Sequence, residues 1–181
     1  MDAGVAGIAG AAIGGVVGAG GAVVAAYLTG KLQGRSQFVN WRRQVRRDAS
    51  ANFLARAMEG ARILALCEAA LNQGDIARAR DELSRYEATE SQMVVQGVVV
   101  AIEGPASLDR KAEEVKENLM LWGWYLRAAV ATLSSRGDLA ELTLDERARL
   151  QQIEGDFNEA GERFIQETRV IIEREDANLT A

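Results

Sequence analysis

Apolar side chains recur every three or four positions from Phe38 onward, which is the spacing of amphipathic helices. Four long stretches keep this spacing, and short segments containing glycine or proline separate them. Long helices with short connections pack as antiparallel neighbours, so the pattern predicts an all-α, up-down bundle with coiled-coil-like packing. The predicted helices cover about 36–71, 76–102, 108–133 and 144–176.

Capping signals stand at the predicted helix starts. Asp75 and Ser107 are predicted N-caps, because their short side chains accept hydrogen bonds from the first free backbone N–H groups. The segment "TLDE", 143–146, has the sequence of a capping box and predicts the start of the last helix. We expect the tail after Asp176 to fray. We predict the valine-rich "MVVQGVVVAI" as a buried helix end, although such residues also favour strands.

Five residues in these helices have individual predictions: two are expected in the core, and three are candidates for other roles. Cys67 lies in an apolar helical pattern and is predicted to be a buried small hydrophobe. Glu90 interrupts an apolar stripe, so it is either a functional buried carboxylate or an arginine partner at the stripe edge. Trp122 fits the core stripe of the third helix, whereas Trp124 and Tyr125 turn away from it. Those two aromatics either form a partner or self-association surface or are covered by the fourth helix or the segment before it.

The first 30 residues differ from the rest of the chain. Residues 3–30 carry no charge and no proline, and their length exceeds the roughly 20 residues that a helix needs to cross a membrane. Their apolarity is weak, because residues 3–29 hold eight glycines and nine alanines but eight Val, Ile or Leu residues. We predict a Gly/Ala-rich transmembrane helix that needs further stabilisation. A cleaved signal peptide and a water-soluble buried helix are the alternatives.

Glycines in this leader recur at steps of three and four, which places them along one stripe of a helix. Such a stripe lets another helix backbone approach closely, so it predicts self-association through a glycine zipper. Compositional drift is the alternative explanation. The predicted self-association residues are Gly7, Gly10, Gly14, Gly18 and Gly21.

A basic collar, 31–47, separates the apolar leader from an acidic body, 48–181. The collar holds six basic residues and no acid, whereas the body holds 15 basic and 25 acidic residues, a net charge of −10. Four collar arginines lie at i, i+1, i+4 and i+5, on one helical face, which suits anionic lipid headgroups. The predicted headgroup contacts are Lys31, Arg35, Trp41, Arg42, Arg43, Arg46 and Arg47.

The order of these regions gives the chain a direction in a membrane. Basic residues flanking a span favour the cytoplasmic side, so we expect the N-terminus outside and the bundle inside. The Ala, Gly and Arg bias is typical of a high-GC bacterial genome. Taken with the predicted span, this makes a bacterial inner membrane the expected location. Nucleic acid is not expected as a partner, because the body is acidic and the basic patch is short. A solvated face without a partner is the remaining alternative.

Motifs of catalysis are absent from the sequence. The chain has no histidine and one cysteine, which removes the commonest general base and the commonest zinc ligands. The glycine-rich leader lacks the lysine of a phosphate-binding loop, and no strand precedes it. We therefore predict a non-enzymatic protein with no catalytic residues, no metal site and no cofactor.

Three functions are compatible with these patterns. The first is a membrane-anchored, self-associating protein whose cytoplasmic bundle recruits or senses a protein partner. The second is a conditional membrane-disrupting oligomer, since a Gly-rich apolar helix on a long-helix bundle is similar in architecture to α-helical pore-forming proteins. The third is a soluble helical subunit of a larger assembly.

Overall fold

The computed structural model describes residue 37 and residues 40–136 and 142–180, and the regular structure in these ranges is α-helical throughout. No strand occurs among the described residues, so the all-α prediction is confirmed for this part of the chain. The helices are α1 over 40–72, α2 over Ile76–Glu103, α3 over Ala106–Arg136 and α4 over Leu144–Thr180.

The chain divides into two compact units, residues 1–42 and residues 43–181. Of the first unit, the structure describes residue 37 and residues 40–42. The predicted transmembrane helix, with its five-glycine stripe, therefore lies outside the described residues. The same holds for Lys31 and Arg35 of the basic collar.

Two of the predicted helix starts are confirmed. The Asp75 carboxylate accepts a hydrogen bond from the Arg78 backbone N–H (3.0 Å), which makes Asp75 the N-cap of α2. Gly74, just before it, has a φ of 72°, and this left-handed conformation closes the turn after α1. At α4, the Thr143 hydroxyl accepts from the Glu146 N–H (3.2 Å), and the Glu146 carboxylate accepts from the Thr143 N–H (2.8 Å). This reciprocal pair is a capping box.

One prediction about a helix start is wrong. Helix α3 begins at Ala106, so Ser107 lies in its first turn and is not the N-cap. The Pro105 carbonyl accepts the N–H of Leu108 at that start (2.9 Å), and proline, which has no N–H, needs no acceptor of its own there. Helix α4 runs to Thr180, and the fraying expected after Asp176 stays a prediction.

Helices that are neighbours in the bundle run antiparallel. Residues near the start of one helix contact residues near the end of the next, as in an up-down bundle. Helix α1 also lies beside α4, which closes the ring of four. Contacts that fix these directions are Arg80 with Ser134 between α2 and α3, Glu114 with Arg163 between α3 and α4, and Arg46 with Glu175 between α1 and α4.

The core contains large aromatic side chains from three helices. The Phe53 and Phe164 rings lie 5.2 Å apart between α1 and α4, and the Trp122 and Phe157 rings lie 6.3 Å apart between α3 and α4. All four side chains are at least 98 % buried, which confirms Trp122 as a core residue. The valine-rich end of α2 is helical as predicted, and Met93 contributes to the core there.

Tyr86 of α2 occupies a narrow slot between α1 and α3. A Cβ atom placed on Gly60 would lie 3.3 Å from the Tyr86 ring, and one placed on Gly123 would lie 2.6 Å from it. The Tyr86 hydroxyl donates a hydrogen bond to the Leu119 carbonyl oxygen (3.2 Å). Burial raises the pKa of this phenol, so it remains a donor at all ordinary pH values. The slot therefore requires glycine at position 123.

Cys67 is fully buried in α1, as the sequence predicts. Burial raises the pKa of its thiol to about 12, with smaller contributions from Glu82 and Glu68. The reactive species is the thiolate, so roughly one thiol in ten thousand is ionised at pH 8. We expect Ellman's reagent to leave the native chain unmodified for hours and to titrate one thiol within minutes in 6 M guanidinium chloride. Rapid labelling without denaturant would contradict this burial.

Candidate interaction surfaces

Exposed apolar side chains are concentrated on the outward faces of α2 and α3. Of eleven large hydrophobic side chains that are exposed among the described residues, seven lie on these two helices. Single exposed hydrophobes are ordinary, but a concentration on one side of a bundle marks an interaction site. We call this set the outer face; it consists of Val94, Val95, Val98, Ile102, Met120, Leu121 and Trp124.

The outward side of α2 changes character along its length. Its first half presents Ser84 and Ser91 to solvent, as expected for a bundle helix. Its second half presents Val95, Val98 and Ile102 at the same helical angle, and Ile102 is 72 % exposed. Exposed valine also lowers helix propensity, so helix formation does not explain these residues. The sequence predicted that this segment is buried. The signal that could have revealed the exposed residues is that the valines of this segment occupy every face of the helix.

Trp124 and Tyr125 of α3 have different surroundings. Their rings make an edge-to-face contact with centroids 5.2 Å apart. Trp124 remains 59 % exposed. Tyr125 is half-buried, because the Arg149 guanidinium of α4 lies 5.7 Å from its ring centroid and Arg149 Nε donates to its hydroxyl (3.3 Å). The fourth helix thus covers Tyr125 and leaves Trp124 on the outer face.

Glu90 pairs with an arginine beside this face. The Arg127 guanidinium donates to the Glu90 carboxylate (2.8 Å) and lies 3.9 Å from the Glu87 carboxylate. Arg127 also lies 5.5 Å from the centroid of the Tyr86 ring. The interpretation of Glu90 as an arginine partner is confirmed, and the cluster supplies polar groups at the edge of the apolar residues.

The basic collar splits into two groups in the structure. Arg43 and Arg46 point to the end of α4, where both guanidinium groups pair with the Glu175 carboxylate, and Arg46 Nε donates to the Glu103 carbonyl oxygen (2.6 Å). Arg42 and Arg47 are exposed. Trp41 is 57 % exposed. Two of the predicted headgroup contacts are therefore engaged within the bundle.

Groups for acid–base or metal chemistry do not gather in the described part of the chain. No cluster of three or more Cys, Asp or Glu side chains that is suited to a metal ion occurs there. Burial, and then the nearby Glu154, raises the pKa of Glu68 in α1. Ion pairing lowers the pKa of Glu59 and of Glu114, through hydrogen bonds from Arg62 and Lys111 respectively. These shifts belong to structural contacts, and the outer face is the stronger candidate for function.

None of the helices in the described ranges combines the length and apolarity required to cross a membrane. No family model matches the chain, and neither a curated protein nor a solved structure is similar to it at a significant level. The exposed surfaces of the bundle are therefore the main indication of its function.

Proposed function

We propose that this chain is a non-enzymatic, self-associating helical protein, anchored in a bacterial inner membrane by residues 1–30, whose bundle recruits a protein partner. The observation that carries the partner-binding part is the outer face of α2 and α3. The charge order of the sequence, apolar then basic then acidic, supports the anchor.

The outer face has the composition of a protein-binding surface. Its seven side chains expose on the order of several hundred Å², which is the size of the largest patches on monomers and of many functional ones. Trp124 supplies the aromatic anchor that interfaces favour, and the valines and Ile102 supply exposed apolar area on α2. Arg127 and Glu87 provide a polar rim. A partner with a complementary apolar helix would bury this surface.

The membrane part of the proposal rests on the leader and the collar. The leader is uncharged for 28 residues, and its glycine stripe supports helix association in lipid, where close backbone packing replaces the hydrophobic effect. Of the predicted headgroup contacts, Arg42 and Arg47 are exposed, and Lys31 and Arg35 lie outside the described residues; a basic residue near an anionic surface contributes about 1 kcal/mol. The weak apolarity of the leader favours a second candidate function, a membrane-disrupting oligomer. Such an oligomer would release dye from anionic liposomes, and Gly14→Leu would decrease that release.

Site-specific photo-crosslinking in the full-length chain tests the partner surface. A photoreactive amino acid at Val98, Ile102 or Trp124 is expected to give adducts of defined mass in cells, because these positions would touch the partner. The same amino acid at Ser84, which is exposed on the polar half of α2, is the matched control and is expected to give none. Adducts of twice the chain mass would identify a second copy as the occupant.

Two results would contradict the proposal. Adducts that form equally from Ser84 and Val98, or from neither, would show that the outer face has no specific partner. Recovery of the full-length chain in the soluble fraction without detergent would exclude the membrane anchor. The two results are separable, because the first concerns the bundle and the second concerns the leader.

A further inference from the structure

A second surface feature, distinct from the outer face, lies between α1 and α4. There the two helices leave a groove with a cavity of about 180 Å³. An engineered apolar cavity of about 150 Å³ holds benzene, so this one accommodates on the order of six to eight non-hydrogen atoms. Its walls include Arg47, Ser50 and Leu54 from α1 and Phe164, Ile165 and Ile172 from α4.

The lining of the cavity is almost wholly apolar, and its polar end is named for the two residues that border it there, Arg47 and Ser50. Arg47 and Ser50 are three residues apart, so they share a helix face at the end of the groove nearer the start of α1. Leu54 follows one turn later, and the antiparallel α4 brings Phe164 and Ile165 to that level. A short apolar tail would therefore fill the cavity, and an anionic head would lie outside it beside the exposed Arg47.

Ser50 has an unsatisfied hydrogen-bonding group at the polar end. Ser50 is only 4 % exposed, and its hydroxyl oxygen has no hydrogen-bond partner. A helical serine or threonine usually bonds to a carbonyl in the preceding turn. Thr168, on the opposite wall, does so by donating to the Phe164 carbonyl oxygen (2.9 Å). Burying a hydroxyl without such a bond costs free energy. After rotation about χ1, the Ser50 hydroxyl would donate a hydrogen bond to a ligand oxygen at the polar end of the cavity.

Arg47 supplies the positive charge at the same end. Its neighbours Arg43 and Arg46 are both paired with Glu175. Among the described side chains, by contrast, no carboxylate lies within ion-pair distance of Arg47. An exposed guanidinium at the mouth of an apolar groove is the group that recognises a carboxylate.

We propose that this cavity binds a free carboxylate amphiphile, a medium-chain fatty acid of about eight carbons, whose tail of about seven carbons fills the cavity while the carboxylate lies outside it. The carboxylate lies against Arg47 and accepts a hydrogen bond from the Ser50 hydroxyl, while the alkyl tail lies along Leu54, Phe164 and Ile165. The site does not depend on the proposed partner surface or on residues 1–30, since all of its residues belong to α1 and α4, but it uses Arg47, which is also a proposed headgroup contact.

Photo-labelling of the full-length chain with a diazirine analogue of octanoate tests this site. Labelled peptides are expected to contain residues 51–54 or 164–172, and unlabelled octanoate is expected to compete, whereas acetate is not. Labelling elsewhere in the chain, or equal competition by octan-1-ol, would overturn the proposal, because the carboxylate would then play no part.

Two variants separate recognition of the head from occupancy of the tail. Arg47→Gln is expected to lower labelling about ten-fold at sub-saturating probe, as for the loss of one charge-assisted hydrogen bond. Arg56→Gln, which removes another exposed α1 arginine outside the cavity, is the matched control and should label like the wild type. Ala51→Phe is expected to block the cavity. Equal labelling of Arg47→Gln and the wild type would reject the site, even if Ala51→Phe failed to fold.

Discussion

Phe53→Ala is expected to lower the free energy of unfolding by about 3–5 kcal/mol, the range for truncating a buried aromatic side chain. Phe53 is fully buried, and its ring packs on Phe164 of α4. A Cβ atom on Gly97 would lie 3.6 Å from the same ring, so α2 also approaches it closely. The loss would leave a cavity where three helices meet, and domains of this size have only about 5–15 kcal/mol of total stability.

Denaturant unfolding followed by circular dichroism measures this effect. Met58→Ala is the matched control, because Met58 lies on the same helix and is 53 % exposed. It is expected to change the free energy of unfolding by no more than about 0.5 kcal/mol. If the two variants were equally stable, Phe53 would not occupy the junction of α1, α2 and α4.

Gly123→Leu is expected to lower the free energy of unfolding by about 3 kcal/mol, at the upper end of the range for overpacking. The first added carbon would already lie 2.6 Å from the Tyr86 ring. That ring cannot move aside easily, because it is fully buried between Gly60 and Gly123 and its hydroxyl bonds to the Leu119 carbonyl. Higher helix propensity of leucine, worth about 1 kcal/mol over glycine, offsets only part of the clash.

Gly155→Ala is the matched control for this prediction. Gly155 lies within α4, and a Cβ atom there would meet nothing within 4 Å. Thermal and denaturant unfolding should therefore show a gain of about 0.5–1 kcal/mol from helix propensity alone. A double-mutant cycle of Gly123→Leu with Tyr86→Leu should reveal coupling above about 1 kcal/mol. Additive effects would mean that the two positions are not in contact.

The four helices were predictable because their apolar residues keep a 3.6-residue period and the chain has one proline. The starts of α2 and α4 were predictable, because the hydrogen bonds of Asp75 and of the Thr143 capping box join residues only three positions apart. The start at Ala106 was missed because Ser107 and Pro105 offer competing local signals. Pairing of Glu175 with Arg46 was unpredictable, since the two residues lie 129 positions apart and many other arginines and acids are available.

The candidate surface was only partly predictable. Trp124 was identified because it departs from the core stripe that passes through Trp122. The contact of Arg149 with Tyr125 was not predictable, because it depends on the distance between α3 and α4. A local sequence pattern carries no information about that distance. The exposed valines of α2 were missed because the segment is apolar on every side, so its periodicity does not separate the core face from the outer one.

Closure of the ring between α1 and α4 also sets the order of events during synthesis. The side of α1 that carries Phe53 packs on Phe164, which leaves the ribosome about 110 residues later, or roughly 6–20 s at ordinary translation rates. During that interval the α4-facing side of α1 is uncovered while the residues that precede it are already available to a membrane. Insertion of the leader would therefore have time to precede closure of the bundle.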